Sequence, residues 1–251
     1  MILDLFGLQG KVALVTGSNT GLGQGVCRAY AEAGAKVVGV SRRPSTETEE
    51  IIGSGNFYNV IADLSSCGVV PEVVEKALAR FGRIDILVNN AGIIKRCDSI
   101  DVSEEDWDSV LNVNLKTVFF LTQAVAKQFV KQGQGGKVIN IASMLSYQGG
   151  IRVPSYTASK SAIKGLTMAL ANEWAKYGIN VNAIAPGYMA TNNTEQLRKD
   201  GERSADILAR IPAGRWGTPA DLEGAAVYLA SAASDYVNGF TLAVDGGWLG
   251  R

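Results

Sequence analysis

Val12-Ala-Leu-Val-Thr16, followed at once by Gly17-Ser-Asn-Thr-Gly21-Leu-Gly23, decides how the rest of the chain is read. A short apolar, β-branched run is a strand, and glycines directly after it let the backbone turn sharply. A helix beginning there aims free N–H groups at whatever anion sits in front of it, a pyrophosphate above all. Three residues separate the first two glycines, so the spacing differs from the common G-x-G-x-x-G fingerprint while the physics is shared. Taken alone, a glycine cluster between strand and helix is also ordinary turn chemistry.

Outward from this turn the same alternation continues. Strand patterns at Lys11–Thr16, Lys36–Ser41, Phe57–Ala62, Ile84–Asn89, Lys137–Ala142, Asn180–Ile184 and Thr241–Val244 alternate with helical ones. The helices are expected from about Gly21, near Pro71–Phe81, as one long helix from about Ser103, from about Pro154, and near Pro219–Ala232. Strands alternating with helices predict an α/β fold, a doubly wound parallel sheet covered on both faces, and one domain over residues 1–251. Ser103 before Glu104, Glu105 and Asp106 reads as an N-cap with an acidic first turn, and Pro219 with Asp221 opens the late helix similarly. In such sheets ligands bind beyond the carboxyl ends of the strands. Asn89-Asn90-Ala91-Gly92, Ser143 and Pro186-Gly187 each follow a strand, so they should meet the glycine turn in one crevice.

Composition narrows the chemistry. Of 251 residues, 47% are hydrophobic, which supplies a large core. Lys+Arg and Asp+Glu number 24 each, with no basic tract, which argues against a nucleic-acid partner. No apolar run approaches the roughly 18 residues of a membrane span. Asp4 stands where a secretory signal would carry basic residues, and a cytoplasmic protein is expected. Cys27, Cys67 and Cys97 show neither metal nor disulfide spacing and fit a reducing compartment. No histidine is present, so Ser-His-Asp catalysis and imidazole-ligated metals are excluded, and no metal site is expected. Proton transfer is left to Tyr, Lys, Ser or a carboxylate.

Tyr156 and Lys160 stand four apart in Tyr-Thr-Ala-Ser-Lys, and Ser143 lies 13 positions upstream of Tyr156. On a helix, residues at i and i+4 share one face roughly 6 Å apart along the axis. A free phenol titrates near ~10, and a positive charge beside it favours the phenolate. Such a pair beside a nucleotide turn points to hydride transfer coupled to proton transfer at an alcohol or ketone. Each residue also has a structural alternative: a helix-start aromatic, a solvated charge, a strand-end cap. Their joint spacing favours catalysis.

With these motifs together, and with Asn114 in Asn112-Val-Asn-Leu115, the chain resembles the short-chain dehydrogenase/reductase family over essentially its whole length. The resemblance implies a Rossmann-like domain with a central seven-stranded parallel sheet, an NAD(H) or NADP(H) cofactor, and a homotetramer. It implies Tyr156 as proton donor and acceptor, Lys160 as the group that lowers its pKa and holds the nicotinamide ribose, Ser143 as holder of the reacting oxygen, and Asn114 as orderer of a relay water. The cofactor-binding set so implied is Gly17, Asn19, Thr20, Gly21, Leu22, Gly23, Ser41, Arg42, Asp63, Leu64, Asn90, Ala91, Gly92, Tyr156, Lys160, Pro186, Gly187, Met189 and Thr191. Asp63 and Leu64 match the adenine position. At the end of the second strand an acidic residue would select NAD. Ser41 stands there instead, and Arg42 after it suits a 2′-phosphate, which points to NADP unless Arg42 and Arg43 are simply solvated charges.

The runs Ile141–Tyr156, Ala185–Thr194, Arg210–Trp216 and Ser234–Gly239 leading to Asp245–Trp248 resemble members acting on uronate-derived keto sugar acids, which generally use NAD. The expected substrate is therefore a deoxy sugar acid from pectin or alginate breakdown. Gluconate 5-dehydrogenation or 3-oxoacyl-thioester reduction is the alternative in the same class, and a non-catalytic nucleotide-binding regulator the alternative outside it. Arg152 is expected to receive the carboxylate, with Gln148, Asn192 and Asn193 meeting hydroxyls and residues 190–212 forming a lid. A surface Arg and ordinary helix-start polar groups are the plainer readings of those residues.

Overall fold

The computed structural model describes all 251 residues. Strands β1 (Val12–Thr16), β2 (Lys36–Ser41), β3 (Phe57–Ile61), β4 (Ile86–Asn89), β5 (Gly136–Ile141), β6 (Ile179–Pro186) and β7 (Thr241–Val244) form one sheet in the order β3-β2-β1-β4-β5-β6-β7. Every neighbouring pair is parallel. The order reverses between β1 and β4, which places a crevice at their carboxyl ends.

The strands are apolar on both faces because both faces are covered. In β1, Leu14 points into a core shared with α3 (Val70–Phe81), α5 (Thr117–Gln132) and α6 (Pro154–Trp174). Its neighbours Ala13 and Val15 point the other way, into a core shared with α1 (Gly21–Glu32) and α9 (Pro219–Ala230). Fully buried Phe129 and Tyr30 anchor the two layers, one on each side. At about 25 cal/mol per Å² of apolar surface removed from water, a side chain of that size is worth several kcal/mol to its layer.

Helix starts follow the local chemistry. Ser103 Oγ accepts from the Asp106 amide at 3.1 Å and opens α4 (Glu104–Leu111). Thr218 and Asp221 cap α9 reciprocally, with Pro219 at the first helical position.

Two features differ from the sequence expectation. The single long helix after Ser103 is interrupted by a π-helical turn at Asn112–Lys116, so α4 and α5 are separate. The buried Asn114 side chain inside that turn bonds both ways to the Ile93 backbone, Oδ1 accepting from its N–H and Nδ2 donating to its carbonyl, each at 2.9 Å. Apolar periodicity runs on through a bulge that a polar contact dictates. A short helix, α2 (Thr46–Ile52), also lies between β2 and β3. Its one buried residue is Thr48, so no apolar stripe announces it.

Candidate active site

The strand-end motifs meet. Gly17 and Gly21 after β1, Asn90 to Gly92 after β4, Ser143 after β5 and Pro186-Gly187 after β6 line one crevice of about 260 Å³. Asn19, Thr20, Leu22, Met189, Thr191, Asn192 and Asn193 complete that wall together with Tyr156 and Lys160. A larger cleft of about 760 Å³ opens at the other end of the sheet beside Lys11, Asp85, Lys137 and Ile179. It has neither the glycine turn nor the phenol and amine, and size alone does not make it the site.

The glycine turn has to be glycine. Gly17 and Gly21 adopt φ of 70° and 60°, the left-handed region that side chains rarely occupy. A Cβ on Gly23 would stand 2.1 Å from the Gly17 carbonyl oxygen, an impossible contact. The Asn90 amide closes this turn from β4, donating to the Thr16 carbonyl at 2.8 Å and the Gly17 carbonyl at 3.2 Å. Thr16 Oγ1 returns the contact by accepting from the Asn90 and Ala91 backbone N–H groups at 3.0 and 2.9 Å. Asn90 therefore acts on the turn through its amide, and only part of it faces the crevice. Thr20 at the start of α1 makes no side-chain cap bond, so the first amides of that helix are free to meet an anion. A pyrophosphate fits this cradle.

On the opposite wall, Ser143 follows β5 and caps a short turn, its Oγ accepting from the Leu145 amide at 3.1 Å. That leaves the hydroxyl proton to be donated elsewhere. Tyr156 and Lys160 project from the first turns of α6, with the amine 5.7 Å from the phenol ring centre. Lys160 is buried and donates to the Ile141 carbonyl at 2.5 Å. Burial pulls its ammonium down to about 8. Burial also pushes the Tyr156 phenol up, and the neighbouring Ser143 hydroxyl, then the Arg96 charge, draw it back down. The sequence expectation had Lys160 as the tuning cation. In this geometry the Lys160 ammonium donates to the Ile141 carbonyl while standing 5.7 Å from the phenol ring centre, and Arg96 adds a second positive charge that favours the phenolate. Asn114 stands behind the pair, bonded to Ser159 Oγ at 3.2 Å, while Ser159 Oγ donates to the Tyr156 carbonyl at 2.7 Å.

Several expected residues lie elsewhere. Gly23 and Asn114 sit behind the crevice surface, as second supports of its wall. Arg152 is exposed, outside the crevice lining, and paired with Asp98 at 3.0 Å. It is the one non-glycine residue with positive φ, 63°, and its carbonyl accepts from the Cys97 amide. Gln148 also lies off the lining, accepting from Arg210 Nη2 at 3.3 Å. Ser41 is buried and donates to the Arg43 carbonyl at 2.6 Å, whereas Arg42 and Arg43 are exposed beyond it. Asp63 and Leu64 follow β3, and Asp63 Oδ1 accepts from the Ser65 amide at 2.9 Å. Arg96 escaped the sequence reading. It stands four residues after Gly92, and its guanidinium donates to the Asn193 carbonyl at 2.9 Å. A basic residue just past a strand-end motif was the available signal.

A parallel sheet with an anion cradle at its switch point and a phenol–amine pair on the facing wall defines a nicotinamide-dependent oxidoreductase. Comparison with known proteins agrees. A family model described as enoyl-(acyl carrier protein) reductase matches residues 17–249. A 2-dehydro-3-deoxy-D-gluconate 5-dehydrogenase of Dickeya dadantii (strain 3937) is 65% identical over 253 residues, covering 100% of both chains. The crystal structure of a candidate 2-deoxy-D-gluconate 3-dehydrogenase from Agrobacterium tumefaciens, with bound NADP, is 56% identical over 98% of this chain and 99% of that one, at a TM-score of 0.93. A gluconate 5-dehydrogenase from Burkholderia cenocepacia J2315, in complex with NADP and tartrate, is 40% identical over 100% of both chains, at 0.94. The chain belongs to the short-chain dehydrogenase/reductase family and is an NAD(P)-dependent oxidoreductase acting on CH–OH groups. No helix is long and apolar enough to cross a membrane.

Proposed function

We propose that the chain interconverts a keto and a hydroxyl group of a deoxy sugar acid, 2-dehydro-3-deoxy-D-gluconate and its 2,5-diketo partner, in uronate breakdown in the cytoplasm. The observation that carries this reading is the crevice itself: Ser143, Tyr156 and Lys160 on one wall and the glycine turn on the other, with Arg96 bonded to the Asn193 carbonyl at its rim and its charge acting on the Tyr156 phenol. Identity of 65% to a dehydrogenase of that name supports the substrate class.

In reduction, Tyr156 gives its phenolic proton to the carbonyl oxygen as hydride reaches the carbon, leaving a phenolate and an alcohol; oxidation runs the same transfers backwards. When bound, the nicotinamide supplies or accepts that hydride. Ser143 donates its free proton to the reacting oxygen, and so stabilises the charge that develops there. Lys160 would hold the nicotinamide ribose, with Asn114 ordering the water that returns a proton. Arg96 would receive the acid's carboxylate, the role expected of Arg152, and Asn192 and Asn193 would meet its hydroxyls; the Arg96 charge acting on the Tyr156 phenol supports this. We read the cofactor as NADP because Ser41 stands where a carboxylate would select NAD, and Arg42 and Arg43 are exposed directly after it.

Residues 190–212 act as a lid on this single domain. They comprise a short turn at Asn192–Thr194, α7 (Glu195–Lys199) and α8 (Gly201–Arg210), and Thr191 sits against the start of α1. The exposed Phe120 and Val130 of α5 and Met168 of α6 are apolar surface for a tetramer, which a monomer in light scattering would refute. The function is tested by NADPH and NADH oxidation against 3-deoxy-2,5-hexodiulosonate, 5-ketogluconate and an acetoacetyl thioester. The first should turn over with the highest kcat/KM, and Tyr156→Phe should lose roughly 10³-fold of it. A higher value on the thioester would overturn the sugar-acid reading.

A further inference from the structure

The turn carrying Arg42 and Arg43 is closed by one side chain from the adjacent strand. Asn59 lies in the middle of β3, in register with Gly39 of β2. Its Nδ2 donates to the Gly39 carbonyl at 3.1 Å and reaches the hydroxyls of Ser45 and Ser41 at 3.3 and 3.4 Å. Its Oδ1 accepts from the Ser45 backbone amide at 3.1 Å. Ser41 is where the chain leaves β2 and Ser45 is where the turn ends, so a single amide ties both ends of the loop between them.

The tie extends to the pyrophosphate cradle. Ser45 Oγ is 3.0 Å from Ser41 Oγ and 3.0 Å from Ser18 Oγ, and Ser18 belongs to the glycine turn. Ser18, Ser41 and Ser45 are buried, none more than 5% exposed. Hydroxyls that far from water hold one arrangement, because any other leaves a buried donor unpaired. The packing is tight as well, since a Cβ on Gly39 would meet both Ser18 Oγ and the Phe57 ring at 2.5 Å. A dinucleotide bearing a 2′-phosphate presents two anionic points at a set separation. The cradle takes one and the arginine turn the other, and the serine–asparagine network sets the distance between them.

We propose that Asn59 is a positioning residue for cofactor choice: through Ser41 and Ser45 it holds the Arg42–Arg43 turn where a ribose 2′-phosphate arrives. This deepens the NADP reading and rests on it. The general structural alternative, a network that merely stiffens the sheet edge, would weaken both dinucleotides alike.

Dissociation constants of NADPH and NADH, measured on the full chain by nucleotide fluorescence without substrate, separate the two. Asn59→Ala should weaken NADPH roughly tenfold, the cost of ordering a loosened turn and its two long side chains, while NADH changes by less than about twofold. Ser45→Ala, which keeps the backbone bond to Asn59, should move in the same direction by roughly threefold and covers the case in which Asn59→Ala does not fold. In an Arg42→Ala/Arg43→Ala background, Asn59→Ala should add nothing. Equal weakening of both nucleotides, or of neither, overturns the role of Asn59. An arginine double variant that keeps the parent's NADPH preference shows that the 2′-phosphate is not held by that turn, and a parent that binds NADH at least as tightly as NADPH refutes the NADP reading; the inference falls with either.

Discussion

The two walls of the crevice are built on different principles. The cofactor wall is backbone: glycines at φ of 70° and 60°, an uncapped helix start, and amides such as Asn90 and Asn59 bonded to carbonyls. The wall proposed for substrate is side chains on loops and on a helical excursion, with Arg96 bonded to the Asn193 carbonyl beside it. Backbone geometry tolerates almost no substitution, whereas side-chain contacts can be exchanged one at a time. One wall can therefore hold a common cofactor while the other is free to change substrate.

Lys160, where the walls join, should show the largest effect. Lys160→Met should lower kcat by roughly 10³-fold, within the range for loss of positioned proton-transfer chemistry. It should also raise the stability of the nucleotide-free protein. Burial lowers the ammonium from 10.5 to about 8, so between those values the unfolded chain binds more protons and stability rises with pH. Below about 8 the charged amine carries its full cost, of order 3 kcal/mol, which the substitution removes together with the pH slope. Melting curves from pH 7 to 10.5 check this, and a variant that melts earlier than the parent at pH 7 would show that the ammonium is stabilised where it lies.

Gly23→Ala tests the backbone wall. With the new methyl group 2.1 Å from the Gly17 oxygen, the turn must shift, and both nucleotides should weaken by roughly 10²-fold or more because both use the same cradle. Nucleotide fluorescence reads it directly. A loss confined to one nucleotide would mean that the cradle adapts to its ligand.

Much of this contrast is legible in the amino-acid sequence, and unevenly. Glycine after a strand announces a conformation that other residues avoid, so the cradle and the order of elements could be read from Val12–Gly23 and the alternation that follows. Residues that act through partners distant in the chain are silent. Asn59 reads as an unremarkable polar position in a strand, and only the fold brings it to Ser41 and Ser45. Arg152 sits between Ser143 and Tyr156 in sequence, yet it stands in a left-handed turn paired with Asp98, while the charge that reaches the Tyr156 phenol is carried by Arg96 on a different loop. Proximity along the chain is a poor guide wherever the backbone reverses.

The two arginines therefore make the sharper test of the substrate wall. Arg96→Ala should raise KM for the keto acid by roughly 10- to 100-fold, the value of a charge-assisted contact, and that for a neutral ketone much less. Arg152→Ala should change either by less than about threefold, as exposed ion pairs contribute little. Arg96→Ala should also shift the rising limb of the pH–rate profile for alcohol oxidation to higher pH, since Tyr156 acts there as the deprotonated base and the Arg96 charge draws its pKa down. The reverse ranking of the two variants would restore Arg152 as the receptor.

The smallest effect is expected at the outer edge of that wall. Arg210, at the end of α8, lies 4.1 Å over the Trp248 ring and donates to Gln148 at 3.3 Å. Beneath it Ile207 and Ile211 pack on Met144 and Trp248, and they supply most of the holding energy. An exposed cation–π contact contributes about 0.5–1 kcal/mol, so Arg210→Ala should raise the open population of residues 190–212 by roughly two- to fivefold. Faster proteolysis within that segment, with NADPH affinity unchanged, is the signature expected of the proposed lid, which would close on substrate while the cradle holds the cofactor without it. Equal protection in variant and parent would mean that the segment is a static part of the wall, and the substrate side would then share the rigidity of the cofactor side.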